Sequence, residues 1–395
     1  MQRPEKELIK LLKEEGVDFA CSLPCEKIRT LLDIVSGTFF HVPLTREEEG
    51  VGICAGAALS SRRPAMFVQS SGVGNMINAL LSLTGFYRFP LTLFVSRRGV
   101  YREKIAAQFP MGLRLPSILR GAGIPYSVID SRNDFEGMKK KLAGVYKNDT
   151  MHAFLMSPAL WEEVACGTED TEYRERDERY GFHVPPNPPL VRRELKWSRV
   201  SPPRLTRYEI LDAVAPYLDS KVVVCNLGFP SKELFSIKHQ SSTFYMLGSM
   251  GMVTPIGLGI ALTSDKQVVV IDGDGSLLMN PGTLATVAYF APENLTILAI
   301  DNSSYGSTGN QPTLTGSCVD LELVAKGFGI KETLKVSTSR QISGVMKSPH
   351  KGLRFIHILA LPGNKDVPNI SIDHLEIKRQ VRDFVRSGNI CTGMI

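Results

Sequence analysis

Gln267-Val268-Val269-Val270-Ile271-Asp272-Gly273-Asp274-Gly275-Ser276 is the stretch whose reading decides the fold. After its first residue it is an apolar run of strand length that stops abruptly in acidic, glycyl and hydroxyl residues. In parallel sheets, ligands gather at the carboxyl ends of strands. Glycines there let backbone amides approach an anion, and a carboxylate such as Asp274 is free to face a cation. The next apolar run, Leu295-Thr296-Ile297-Leu298-Ala299-Ile300, also ends in polar residues, Asp301-Asn302-Ser303-Ser304. A right-handed crossover between the two strands places Asn302 near Asp274.

A carboxylate, an amide oxygen and a backbone carbonyl are hard oxygen donors; with two diphosphate oxygens and water they complete an octahedron suited to magnesium. Taken alone, Gly273-Asp274-Gly275-Ser276 also reads as an ordinary turn, and Asp272-x-Asp274-Gly275-Ser276 imitates a calcium loop. The calcium reading fails on context, because a strand rather than a helix precedes the loop and its twelfth position is Thr283 instead of Glu.

Outward from this stretch, strand-like and helix-like segments alternate, the pattern of an α/β chain with parallel sheets. Residues 206–217, 231–236, 251–263 and 281–290 read as helices, with strands at 221–226, 243–246, 267–271 and 295–300. In the first half, helices are expected around 5–15, 26–35, 47–61, 77–87, 113–122 and 134–145. The matching strands are 18–22, 65–69, 91–96, 126–130 and 152–157. Between the halves, residues 167–204 are charged and then proline-rich (Pro185-Pro186-Asn187-Pro188-Pro189), the profile of an exposed linker. The expected division is therefore a domain at 1–166, a linker at 167–204 and a second domain at 205–395.

Composition excludes several classes. The 46 Lys and Arg are interspersed with 40 Asp and Glu, so the net charge of +6 forms no basic block, and nucleic acid is not an expected partner. A mild positive balance suits small anions. No apolar run reaches membrane-spanning length, and the N-terminus lacks the apolar core of a signal peptide, so a cytoplasmic protein without membrane contact is expected. The seven cysteines are scattered, with only Cys21 and Cys25 close together and no second pair at zinc spacing, as befits reduced thiols.

Gly273-Asp274-Gly275, followed after just under thirty residues by Asp301-Asn302, resembles the cofactor motif of the thiamine-diphosphate-dependent decarboxylases, which ends in Asn-Asn. Here Asp301 replaces the first Asn. The resemblance implies two α/β domains, each a mostly parallel sheet flanked by helices, one gripping the pyrimidine of thiamine diphosphate and the other its diphosphate. It implies Mg2+ held by Asp274, Asn302 and the main-chain carbonyl of Ser304. Gly273, Asp274, Gly275, Ser276, Asn302, Tyr305 and Gly306 then meet the cofactor.

Arg46-Glu47-Glu48-Glu49-Gly50 before Ala55-Gly56-Ala57-Ala58 is similar to the family's Glu-x8-Gly helix when Glu47 is paired with Gly56; Glu48 with Ala57 is the other register. In the family this glutamate bonds the aminopyrimidine ring and so promotes deprotonation of the thiazolium carbon. Acidic residues at a helix N-terminus also simply favour the helix dipole. Gly248, Ser249 and Met250 fall in the segment resembling the pyrimidine-binding one, where Met250 props the cofactor in a bent form; plain core packing is the competing reading of this methionine.

Gln69-Ser70-Ser71-Gly72-Val73-Gly74-Asn75 resembles the loop that sulfopyruvate and phosphonopyruvate decarboxylases place beside cofactor and substrate, with a structural glycine turn as the alternative. The chain has no room for the middle domain of larger pyruvate decarboxylases, and Gln108-Phe109-Pro110-Met111-Gly112 looks closer to the sulfopyruvate enzymes. The implied activity is a carboxy-lyase converting 3-sulfopyruvate to sulfoacetaldehyde and CO2, as in coenzyme M biosynthesis, with 3-phosphonopyruvate as the alternative substrate. A noncatalytic, regulatory cofactor-binding module is the alternative of another class. Candidate substrate contacts are Gln69, Ser70, Arg97, Arg98 and Gln108. Arg102, Lys104 and Lys232 are further cations in neighbouring loops, though solvated surface charge is the default for each. The family builds its sites between chains, which implies a homo-oligomer, dimer or tetramer, with sites at the interface.

Overall fold

In a computed structural model, which describes residues 3–161 and 202–387, two six-stranded parallel sheets are built to one plan. The first holds β1 (Phe19–Ser22), β2 (Phe40–Pro43), β3 (Pro64–Gln69), β4 (Leu91–Ser96), β5 (Tyr126–Ile129) and β6 (Met151–Met156), in the order β2-β1-β3-β4-β6-β5. The second holds β7 (Val222–Cys225), β8 (Thr243–Tyr245), β9 (Val268–Gly273) and β10 (Leu295–Asp301). A small antiparallel hairpin follows, β11 (Ser304–Tyr305) with β12 (Gln311–Pro312), and then β13 (Thr333–Val336) and β14 (Arg354–Leu359) complete the sheet. Its order, β13-β14-β10-β9-β7-β8, is the same sequence of positions as in the first sheet once the hairpin is set aside.

Alternation along the strands sorts the core. In β3 and β4, Ala65, Phe67 and Phe94 join Leu8, Leu12 and Leu142 in a cluster confined to the first half. Phe67 stacks on Phe94 at 5.0 Å and Phe94 on Phe154 at 5.3 Å between ring centroids. On the opposite face, Met66, Val68, Leu93 and Val95 belong to a cluster that runs without a break into the second sheet. The link between them is the helix Glu47–Leu59 packed on the helix Val253–Ala261. These helices are equivalents, each connecting the second strand of its sheet to the third. They cross at backbone contact: a Cβ on Gly56 would lie 2.2 Å from the Ile256 carbonyl oxygen, and one on Gly259 would lie 2.1 Å from that of Ile53. Both positions therefore require glycine.

The expected elements from residue 5 to residue 300 are present with shifts at their ends, and the structure adds others. β2 was not expected; it is an edge strand in which only Val42 is buried, so it lacks an apolar signature. Past Asn302, β13 is likewise an edge, and β14 carries His357 and Arg354 within its apolar run. Two stretches read as loops are helical: Ser70–Gly74 forms a helical turn, and the helix Asp274–Met279 begins directly at the motif. The C-terminal helix His374–Arg386, capped by Asp373, reaches back to the first half, where Lys378 bonds Asp149 at 2.9 Å. The 167–204 linker, apart from its last three residues, lies outside the described residues. Among the described residues the cysteines are free, and no helix is long and apolar enough to cross a membrane.

Candidate active site

In each sheet the chain reverses its direction of travel between the first and third strands, and in open α/β sheets such a reversal opens a crevice at the carboxyl ends. In the second sheet that crevice is a cavity of about 160 Å³. Asn226 and Leu227 reach it from the end of β7, Ile271 to Ser276 from β9 and the helix after it, and Ile300, Asn302 and Ser304 from β10 and the hairpin. The strands β9 and β10 are in register, with Asp272 opposite Ala299 and Gly273 opposite Ile300, so Asp274 and Asn302 emerge side by side as expected. Met250, Tyr305 and Gly306 also line the cavity. Gly248 and Ser249 do not; they meet the first half of the chain, where Ser249 Oγ lies 2.5 Å from Ser82 Oγ.

Asp274 is 3% exposed and accepts hydrogen bonds from Thr313 Oγ1 (2.5 Å) and Thr315 Oγ1 (3.1 Å). Thr315 lies between two carboxylates, since its hydroxyl is also 2.7 Å from Asp301 Oδ1. Burial, reinforced by the charge of Asp301, pushes the Asp274 carboxyl up to about 6. A carboxylate so placed is one that a bound cation relieves. Asn302 Nδ2 and Ser304 Oγ are buried without partners among the described residues, so both side chains retain polar capacity at the cavity. No group of three His, Cys, Asp or Glu side chains capable of holding a metal occurs among the described residues. A metal at Asp274 therefore depends on amide and carbonyl oxygens and on a ligand's own oxygens, the donor set that suits magnesium. The residues present fit a diphosphate and a hard divalent cation.

The three glutamates at the start of the helix Glu47–Leu59 have separate environments. Glu49, fully buried, accepts from Thr45 N and Oγ1 and from Thr286 Oγ1 of the second half, closing the helix N-terminus. Glu48 is partly exposed 3.5 Å from Arg46 Nε; desolvation raises its pKa, with Arg46 working against the shift. Glu47 is 4% exposed and accepts one hydrogen bond, from Asn75 Nδ2 at 3.0 Å. Its carboxylate rests on Gly72, where a Cβ would fall 2.2 Å from Oε1. The Ser70–Gly74 turn thus shapes the pocket of this carboxylate.

The five candidate substrate residues divide, and none lines the cavity. Ser70 is spent on structure: its hydroxyl donates to the Ser96 carbonyl at 3.1 Å and accepts from Arg98 N at 2.9 Å. Arg98 is spent as well, in a buried two-bond pair with Glu103 at 2.6 and 2.9 Å that lowers the Glu103 carboxyl to about 2. Arg97 Nε and Gln108 Oε1, by contrast, are buried without partners among the described residues, and Gln69 is half-buried at the end of β3.

Comparison with known proteins bears on the whole chain. Residues 5–113 match the thiamine pyrophosphate enzyme N-terminal TPP binding domain, and residues 228–358 match the C-terminal TPP binding domain of the same enzymes. A sulfopyruvate decarboxylase from Methanosarcina acetivorans is 40% identical over 96% of this chain and 97% of its own. The chain belongs to the thiamine-diphosphate-dependent decarboxylases. A phosphonopyruvate decarboxylase from Streptomyces viridochromogenes is 30% identical over 94% of this chain and 92% of its own. Benzoylformate decarboxylase from Polynucleobacter necessarius shares the fold, with a TM-score of 0.72 at 14% identity over 93% of this chain and all of that one.

Membership in these decarboxylases accounts for the paired sheets as two thiamine-diphosphate-binding domains. Sequence reasoning did not find Arg207, Asn226, Thr313, Thr315 and His357. Arg207 and Asn226 line the cavity, and the other three support its acidic floor. The Thr206-Arg207-Tyr208-Glu209 capping box is visible in the sequence, but it marks a helix start and says nothing of where Arg207 lies.

Proposed function

We propose that this 2-oxo acid decarboxylase acts on 3-sulfopyruvate, releasing CO2 and sulfoacetaldehyde without oxidation, with thiamine diphosphate and Mg2+. The observation that carries the reading is the acidic floor at the ends of β9 and β10, where buried Asp274 adjoins Asn302 and Ser304 in one cavity. Full-length similarity to a sulfopyruvate decarboxylase, stronger than that to a phosphonopyruvate decarboxylase, supports the choice of acid.

In this reading Asp274, Asn302 and the Ser304 carbonyl would hold the cation, the amides of Gly273 to Ser276 would meet the diphosphate, and Met250, which lines the same cavity, would lie against the cofactor. When bound, thiamine diphosphate supplies the electron sink for the bond broken as CO2 leaves. Glu47 holds a proton relationship with the pyrimidine ring, and Asn75 fixes its orientation through the bond to Oε2. Arg97, whose Nε is a buried donor without a partner among the described residues, is the candidate to meet the acid's sulfonate; the unmet atom of Gln108, Oε1, is an acceptor and does not suit an anion. The proposal places the domain joint at 167–204 and includes a homo-oligomer. Exposed Leu81, Leu247 and Met279 support association, because apolar side chains of this size are commonly covered in assemblies.

The test is CO2 release by the purified, cofactor-loaded chain with 3-sulfopyruvate and 3-phosphonopyruvate in parallel. Faster turnover of 3-sulfopyruvate supports the proposal, and preference for the phosphonate reverses the assignment of substrate. Cofactor binding with no release from either acid overturns the catalytic reading. Light scattering of the same preparation tests the oligomer.

A further inference from the structure

Arg207 opens the helix Arg207–Val214 and is 7% exposed. Its Nε and Nη2 donate to the two Glu233 carboxylate oxygens at 2.8 and 3.0 Å, and Nη2 also donates to Asn364 Oδ1 at 2.8 Å. These bonds leave Nη1 without a partner among the described residues. Glu233, itself fully buried, is further occupied by Lys365 N at 2.9 Å, so the guanidinium is held in a single orientation. Asn364 Nδ2 reaches on to the Gly306 carbonyl at 2.8 Å, tying this cluster to the rim of the cofactor cavity.

Among the described residues lining that cavity, Arg207 is the only cationic side chain, and it shares the walls with Asp272 and Asp274. A diphosphate ester carries more negative charge than one divalent cation neutralises, and the two aspartates widen the deficit. A guanidinium held by a carboxylate on one edge and unpartnered on the other is suited to phosphate, because its planar fork offers donors in fixed directions.

We propose that Arg207 is an anion-binding residue of this cavity, presenting Nη1 to the terminal phosphate of thiamine diphosphate, with Glu233 and Asn364 as its positioning residues. The inference rests on the cofactor placement described under the proposed function and not on the choice of 2-oxo acid.

Calorimetric titration of the full-length apo chain with thiamine diphosphate and with thiamine monophosphate, each with Mg2+, reads the contact directly. Two variants are compared with the parent. Arg207→Gln/Glu233→Gln removes both charges together and strands neither. Arg207→Lys keeps the ion pair but lacks the second donor edge, and it decides the matter if circular dichroism shows the double variant unfolded. The expected result is a loss of diphosphate affinity of about tenfold or more, with monophosphate affinity changed less than about twofold, so that the preference for the diphosphate collapses. An unchanged preference in a folded variant overturns the proposal. Unchanged cofactor affinity with a raised KM for 3-sulfopyruvate also overturns it, by assigning Nη1 to the substrate's anion. Failure of the sulfopyruvate reading would leave these binding ratios untouched.

Discussion

His357 Nε2 lies 2.8 Å from Asp301 Oδ2, across the pair of neighbouring strands that carry them, with Asp301 standing where the family motif has asparagine. His357 Nδ1 faces Asp320 at 3.5 Å, and Asp320 is in turn bonded to Lys335. Burial works against charging the imidazole, but its two carboxylate partners outweigh this and raise its pKa. Burial likewise opposes charge on Asp301, and the bonds from His357 and Thr315 win, holding it below the usual carboxylate range. The acid in place of the amide is thus matched by a hydrogen-bonded imidazole on the adjacent strand. Asp301→Asn and His357→Gln should each destabilise the apo protein by about 1–3 kcal/mol, and the double variant should fall short of their sum by about 1 kcal/mol or more. Urea denaturation of the four proteins measures the coupling; simple additivity would show that the pair is incidental.

Glu47→Gln should bind thiamine diphosphate within about threefold of the parent and lose decarboxylation by about 100-fold or more, because proton-transfer catalysis is removed and the shape is kept. Glu48→Gln, altering a partly exposed group paired with Arg46, should keep most of the activity. Single-turnover CO2 release on calorimetrically loaded enzyme separates binding from chemistry. The reverse ranking of the two variants would move the assignment to Glu48.

Gly259→Ala should cost about 1–3 kcal/mol, since the added methyl meets the Ile53 carbonyl, a backbone atom that cannot swing aside. Gly344→Ala is the control: it lies in the helix Ser339–Lys347, and nothing approaches its Cβ position within 4 Å. That change should stabilise by about 0.4–1 kcal/mol. Thermal melts of both variants test the contrast, and equal effects would refute the close crossing.

His152 is partly buried and bonded at 2.8 Å to Ser127 Oγ, and burial, aided by Lys141, lowers its pKa to about 4. The unfolded chain takes up this proton near 6.5 and the folded chain only near 4. Between those values the unfolded state binds more protons, so the contribution is intact above pH 6.5 and is lost as pH falls toward 4. Allowing for partial solvent exposure, the loss is about 1–2 kcal/mol. His152→Gln should flatten the fall in stability across that window, measured by urea midpoints from pH 7 to pH 4; an unchanged slope would acquit this histidine.

Legibility followed the range of the interactions. β9, β10 and the residues at their ends were readable because an apolar run and its polar terminus adjoin in sequence. β2 and β13 were not, being edge strands with little buried surface to mark them. The same distinction held at the site. Asp274 and Asn302 belong to a local motif, whereas Thr315 supports Asp274 from 41 residues away and His357 supports Asp301 from 56. Asn75 lies in a stretch that was singled out, but its bond to Glu47 depends on how the Ser70–Gly74 turn is laid against the helix. The glutamates looked alike as a run, and only packing distinguished the one on Gly72 from the one spent on Thr45 and Thr286.

The crossing of Gly56 on Ile256 and of Gly259 on Ile53 acts as an indexed joint with one seat. No side chain lies between the two backbones to act as a compressible gasket, and sliding either helix by a residue would drive a Cβ into a carbonyl. The seating of the helix Glu47–Leu59 on the helix Val253–Ala261 is therefore set by the dimensions of the peptide itself.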